Sequence, residues 1–140
     1  MNKKITIGYV PGTFDLFHVG HLNLLKNAKS VCDILIVGVT TDELCEKVKN
    51  KKTIINFTER CEIVKAIKYV DAVIPQEDYD KIKMWRKLKF NLICVGDDWY
   101  NTASWNNYEV QFKKLGVEIK YFPYTKSISS TAIREKLNEK

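Results

Sequence analysis

The feature that most constrains this chain is the alternation of short apolar runs with stretches whose apolar residues recur at helical spacing. Residues 33–39 form a short, nearly continuous apolar run, the form taken by a parallel strand covered on both faces. Other strand-like segments are residues 4–10, where Ile5, Ile7 and Tyr9 alternate, residues 72–74 before Pro75, residues 92–95, and residues 117–122. Helical spacing appears over residues 19–30, with Leu22, Leu25 and Ala28 on one face. Thr40 with Glu43 and Asn56 with Glu59 read as capping boxes, the second opening a helix with Cys61, Val64 and Ile67 inward. Residues 79–88 and 106–115 continue the pattern, Gly116 ends the latter, and Ser129 or Ser130 caps a last helix. Five strands interleaved with helices predict an α/β fold, a doubly wound five-stranded parallel sheet with helices on both faces. In such sheets ligands sit beyond the carboxyl ends of the strands, so the loops after each strand are where chemistry is expected.

At 140 residues with no repeat or linker-like tract, the chain reads as a single domain over residues 1–140. Its net charge of +6 favours anionic partners such as phosphates, nucleotides or nucleic acid. A nucleic-acid-binding domain would interleave basic and aromatic side chains on one face. Here the lysines gather instead in one stretch, Lys47, Lys49, Lys51 and Lys52, which reads as a basic loop, so no nucleic-acid partner is expected. The cysteines at 32, 45, 61 and 94 show no metal-ligand spacing and read as reduced thiols. The apolar stretch at the N-terminus is broken by Thr6, Gly8, Pro11 and Asp15, unlike a secretory signal. The run 34–39 is far below the roughly 20 residues that cross a bilayer. A cytoplasmic chain without membrane insertion is the expectation.

The loop after the first strand runs from Gly12 through Thr13, Phe14, Asp15, Leu16 and Phe17 to His18, Val19, Gly20 and His21, directly into the first helix. Two histidines three apart at a helix start share a face. Gly20 leaves room for a bulky ligand near the backbone, and free N–H groups with the positive end of the helix dipole favour an anion. The bland reading is that His18 caps the helix and His21 is an ordinary core or surface residue. A second helix N-terminus, at Ser129, Ser130 and Thr131, offers hydroxyls and N–H groups as another natural anion site.

The His18-x-Gly20-His21 motif resembles the signature of the nucleotidyltransferase superfamily, on a Rossmann-like sheet. Within it the resemblance is to the cytidylyltransferases, especially the small bacterial glycerol-3-phosphate cytidylyltransferases. It extends to Thr40-Thr41-Asp42-Glu43, Tyr69-Val70-Asp71, Val73-Ile74-Pro75, Gly96-Asp97-Asp98-Trp99 and the closing block Thr125-Lys126-Ser127-Ile128-Ser129-Ser130-Thr131. The resemblance implies transfer of CMP from CTP to a phosphorylated alcohol, glycerol 3-phosphate first, giving CDP-glycerol and pyrophosphate. Phosphocholine, phosphoethanolamine or another capsule or wall precursor is the alternative acceptor. It also implies Mg²⁺ bound mainly through the CTP phosphates, without assigned protein ligands, and a homodimer.

Carried over residue by residue, the resemblance makes His18, His21 and Lys51 catalytic. It places Thr13, Phe14, Val19, Gly20, Lys68, Asp97, Tyr124 and the block from Thr125, Lys126 and Ser127 to Ile128, Ser129, Ser130 and Thr131 around CTP. Asp15, Lys49 and Arg60 fall to the acceptor, Asp15 being equally readable as a turn aspartate. The sequence departs from the family pattern at Tyr124 and Lys68, each standing where the family has arginine, and at Lys126-Ser127 in place of Glu-Gly. A phenol cannot supply arginine's charged fork, leaving Lys126 or Arg134 to compensate. Trp99, Trp105 and Tyr108 are either core or walls of an acceptor pocket.

Overall fold

The computed structural model describes residues 4–50, 52–123, 125 and 128–139. One parallel sheet holds five strands: β1 (Ile7–Gly12), β2 (Ile34–Thr40), β3 (Ala72–Gln76), β4 (Leu92–Gly96) and β5 (Glu118–Phe122). Their spatial order is β3-β2-β1-β4-β5. Six helices connect them: α1 (Val19–Ser30), α2 (Asp42–Lys49), α3 (Phe57–Lys65), α4 (Lys81–Leu88), α5 (Ala103–Lys114) and α6 (Ser130–Leu137), with a 3₁₀ turn at Asp97–Trp99.

Strand alternation divides the core into two layers. Val10, Leu35, Val37, Val39, Leu92 and Cys94 face α1 and α3, where Leu25, Ala28 and Val64 meet them. Tyr9, Ile93 and Val95 face the other way, against Ile82, Met84, Trp105 and Phe112 of α4 and α5. Helices therefore cover both faces, as the sequence pattern predicts. Trp105 and Tyr108 belong to the second layer, which settles their role as packing. Gly38 is required there, because a Cβ would lie 1.9 Å from the Tyr9 hydroxyl. That hydroxyl donates to Gln76 at 2.7 Å.

Several boundaries move from the sequence reading for identifiable reasons. β3 runs through Pro75 to Gln76. It is an edge strand, where proline's missing N–H leaves no central ladder bond unmade. The cap of α2 is Thr41, whose hydroxyl accepts from Leu44 N–H, while Thr40 is the buried end of β2. α2 continues through Lys49 and ends at the left-handed Asn50, so Lys47 and Lys49 stand on a helix and not in a loop. α5 starts at Ala103, three residues earlier than its apolar spacing suggested, because Thr102 caps it. All four cysteines are free, and no described helix is long and apolar enough to cross a membrane.

Strand order positions the site. β1 is central, with its onward connection to β2 on one side and β4 on the other. The loops after β1 and β4 therefore diverge and leave a crevice at the carboxyl ends of the two strands.

Candidate active site

That crevice is a cleft of about 230 Å³, lined by His18, Gly20, His21 and Leu24 from the β1–α1 side, Gly96, Asp98 and Trp99 after β4, and Pro123, Thr125, Ile128, Ser129 and Ser130 after β5. The N-termini of α1 and α6 thus both border one space, which is the arrangement expected for an extended polyanion.

The loop 13–18 reaches the cleft through two non-glycine residues in the left-handed region, Phe14 (φ 57°) and Leu16 (φ 52°). Such backbone is costly and persists only where its surroundings enforce it. Phe14 is buried, and its ring meets the His21 ring edge-on at 5.3 Å, with Phe17 5.2 Å from the same imidazole. His18 is the N-cap of α1: its Nδ1 accepts from Gly20 N–H at 3.0 Å, and His18 N–H donates to His21 Nδ1 at 3.2 Å. The two rings stack with centroids 3.9 Å apart. The capping box is thus built from two imidazoles, and the capping reading of His18 holds together with the ligand-facing one. Each Nδ1 is spent as an acceptor, which leaves the proton on Nε2 as the ring's donor to a ligand. Burial lowers the His18 pKa. Burial, then the neighbouring His18, pushes His21 down to about 4 against the opposing pull of Asp15. Both rings are therefore neutral donors near pH 7.

Gly20 has a role in the fold that the sequence did not disclose. A Cβ there would sit 2.8 Å from the His18 ring, so the missing side chain makes room for that imidazole folding back, and Gly20 itself lines the cleft. On the opposite wall, Ser129 caps α6 by accepting from Ala132 N–H at 3.0 Å. Asn23 of α1 donates to Thr125 Oγ1 at 3.2 Å and joins the two walls.

The remaining expected residues fare unevenly. Thr13, Phe14, Val19 and Thr131 border the lining without entering it; Phe14 acts through its packing on His21. Asp98 and Trp99 line the cleft, not Asp97. Trp99 is about half exposed, and burial raises the Asp98 carboxyl. Lys68 is corrected outright: it is exposed in the segment leading into β3, at the end of the sheet opposite the cleft, with its ammonium over the Tyr69 ring. Arg60 is fully buried and donates to Ile55 O (2.9 Å), Thr13 O (2.6 Å), Thr40 O (2.8 Å) and Asp42 Oδ1 (2.6 Å). A guanidinium held by four protein acceptors braces loops and has no face for an acceptor molecule, so its assignment is corrected as well. Asp15 is likewise buried and occupied by protein donors, Ile54 N–H and Ile55 N–H at 2.9 Å each and Arg134. Burial would raise its carboxyl, but these donors outweigh burial and hold it below the usual range. It neither orients a histidine by hydrogen bonding nor reaches the cleft lining. Lys51, Tyr124, Lys126 and Ser127, and the side chain of Lys49, lie outside the described residues.

Sequence reasoning missed Leu24 and Pro123 as lining, and Lys81 as a buried amine at the start of α4, its ammonium 5.1 Å from the Tyr79 ring centroid. Leu24 is one turn beyond His21 on the face of α1 that carries the imidazole, a spacing that could have revealed it.

A Rossmann-like sheet with two neutral imidazole donors and a second helix N-terminus across one cleft offers donors to an extended anion. Comparison with known proteins agrees. The Cytidylyltransferase-like family model matches residues 9–136. The chain is 36% identical over 138 residues to glycerol-3-phosphate cytidylyltransferase of Bacillus subtilis, covering 98% of each chain. It is 35% identical to the FAD synthase of Thermococcus sibiricus over 89% of this chain and 85% of that one. Among solved structures, the lipopolysaccharide core biosynthesis protein of Thermoplasma volcanium superposes with a TM-score of 0.72 at 25% identity, covering 87% of this chain and 98% of that one. The protein belongs to the cytidylyltransferase-like family and is a nucleotidyltransferase enzyme.

Proposed function

We propose that the enzyme transfers CMP from CTP to glycerol 3-phosphate, forming CDP-glycerol and pyrophosphate. The observation that carries this reading is the imidazole pair with both Nδ1 atoms engaged by backbone, at the mouth of α1 and across the cleft from α6. The acceptor phosphate is ionised at neutral pH, so one of its oxygens attacks the α-phosphorus of CTP directly. A P–O bond forms there as the bond to the β-phosphate oxygen breaks, and pyrophosphate leaves with the electron pair. No side chain has to form a covalent intermediate or remove a proton. Catalysis is positioning plus stabilisation of charge as it grows on the transferring group. His18 and His21 supply Nε2–H donors, and Ser129, Ser130 and the first N–H groups of α6 hold the triphosphate from the other side. Lys51 and Lys49 are assigned to the phosphates of CTP and acceptor by the family pattern.

Among the described residues no group of three or more His, Cys, Asp or Glu could hold a metal ion. The donor set fits a Mg²⁺ ion that takes most ligands from substrate phosphates, with Asp98 the carboxylate in the cleft lining. Such an ion would neutralise phosphate charge.

The glycerol phosphate assignment is supported by relatives that match nearly the full chain. The FAD synthase relatives and a half-exposed Trp99 in the cleft favour a second reading, a larger aromatic acceptor with ATP as donor. Pyrophosphate release measured with CTP or ATP against glycerol 3-phosphate, phosphocholine, phosphoethanolamine and flavin mononucleotide tests both. Turnover confined to CTP with glycerol 3-phosphate is expected. Turnover with ATP and the flavin alone would replace the first reading by the second. A homodimer in the cytoplasm completes the proposal, and sedimentation of the purified protein checks the dimer.

A further inference from the structure

The last helix is attached to the body in an unusual way. No residue of α6 is buried, so little apolar packing fixes its position, although its N-terminus forms one wall of the cleft. Among the described residues, two polar contacts tie its side chains to the body, and both end on Asp15. Ser130 donates its hydroxyl to the Asp15 carbonyl at 2.5 Å, and Arg134 pairs with the Asp15 carboxylate. The same carboxylate accepts the N–H groups of Ile54 and Ile55. Those residues close the segment that follows the lysine-rich stretch, and Arg60 grips that segment from its other side through the Ile55 carbonyl. One buried carboxylate therefore joins α6, whose start borders the cleft, to the segment 52–55 that follows the lysine-rich stretch. Asp15 and Arg134 are not in the cleft lining.

We propose that Arg134 is a positioning residue. Through Asp15 it fixes the α6 wall and the segment 52–55 in a single register, so that the triphosphate and acceptor sides of the cleft are set together. Without the guanidinium, the carboxylate loses its only charged partner among the described residues, the hold on α6 weakens, and the N–H groups of Ile54 and Ile55 lose an acceptor fixed in place. The inference rests on the reading of residues 125–131 and the lysine stretch as two sides of one phosphate site.

Arg134→Met keeps the aliphatic stem and removes the charge, and Arg134→Lys restores a cation. Amide hydrogen exchange of the intact chain without substrate should show residues 52–55 exchanging roughly 2- to 30-fold faster in Arg134→Met. Exchange in β1 and β2 should be unchanged, with partial recovery in Arg134→Lys. Unaltered exchange at 52–55, or acceleration spread equally through the sheet, would overturn the proposal. In steady-state assays KM should rise for both substrates in Arg134→Met, and the same change in an Asp15→Asn background should add little. A rise confined to the nucleotide KM would also overturn it. If the wild-type protein turned over none of the substrates assayed, the functional reading would fall, and the exchange experiment would still decide this one.

Discussion

Acidifying the solution from about pH 7.5 to about pH 4.5 should remove about 2.5 kcal/mol of folding stability through His21 alone. The imidazole lies against Phe14 and Phe17 and stacks on His18, and its pKa is pushed from the ordinary 6.5 to about 4, chiefly by burial. The folded chain refuses a proton that the unfolded chain accepts. Stability from this group is therefore complete above pH 6.5 and drains away as pH falls from 6.5 toward 4. At about 1.36 kcal/mol per pKa unit the full contribution approaches 3.4 kcal/mol, and most of it is spent by about pH 4.5. The carboxyls of Asp15, Asp42 and Asp71 are held below 3.8, so their contributions are lost only at lower pH. Urea unfolding across this range should be compared with His21→Gln. Glutamine at this position can keep the capping-box bond to the His18 N–H but does not titrate. His18 titrates in both proteins, so the difference between the two curves reports His21 together with its coupling to His18. Parallel curves, or a wild-type protein that gains stability on acidification, would refute the assigned burial and charge state.

Three further substitutions probe the same framework. His18→Asn preserves a side-chain cap and should leave thermal stability nearly unchanged, yet lower turnover by about 10²–10³ through loss of the Nε2–H donor. His18→Ala should lose the same activity and about 1 kcal/mol more of stability, and wild-type turnover in both would remove the histidine from the chemistry. Arg60→Met should cost at least about 1–3 kcal/mol in chemical denaturation, because the Ile55, Thr13 and Thr40 carbonyls lose their donor, whereas an increased acceptor KM at unchanged stability would return Arg60 to a binding role. Gly38→Ala should cost about 1–3 kcal/mol by overpacking against Tyr9, with a smaller penalty in a Tyr9→Phe background if the hydroxyl clash is the cause.

Local signals in the chain fixed whatever depends on neighbours close in sequence. The five apolar runs define the strands, Asn56 and Ser129 mark helix starts, and the imidazole pair is set by three-residue spacing at the head of α1. Even so, the sequence could not say that Nδ1 of each ring would be turned inward to cap the helix, or that Gly20 would make room for His18 itself. The fates of charged residues depended on contacts far along the chain. Asp15 meets Ile54, Ile55 and Arg134, and Arg60 meets Thr13 and Thr40. Whether a carboxylate or a guanidinium faces a ligand or is consumed inside the protein is decided by which acceptors and donors the fold delivers to it. Lys68 shows the same limit, since its place in the chain does not disclose that it sits at the far end of the sheet. Strand order, which only long-range pairing establishes, finally brings the loops after β1, β4 and β5 around one cleft and so converts separated motifs into a site.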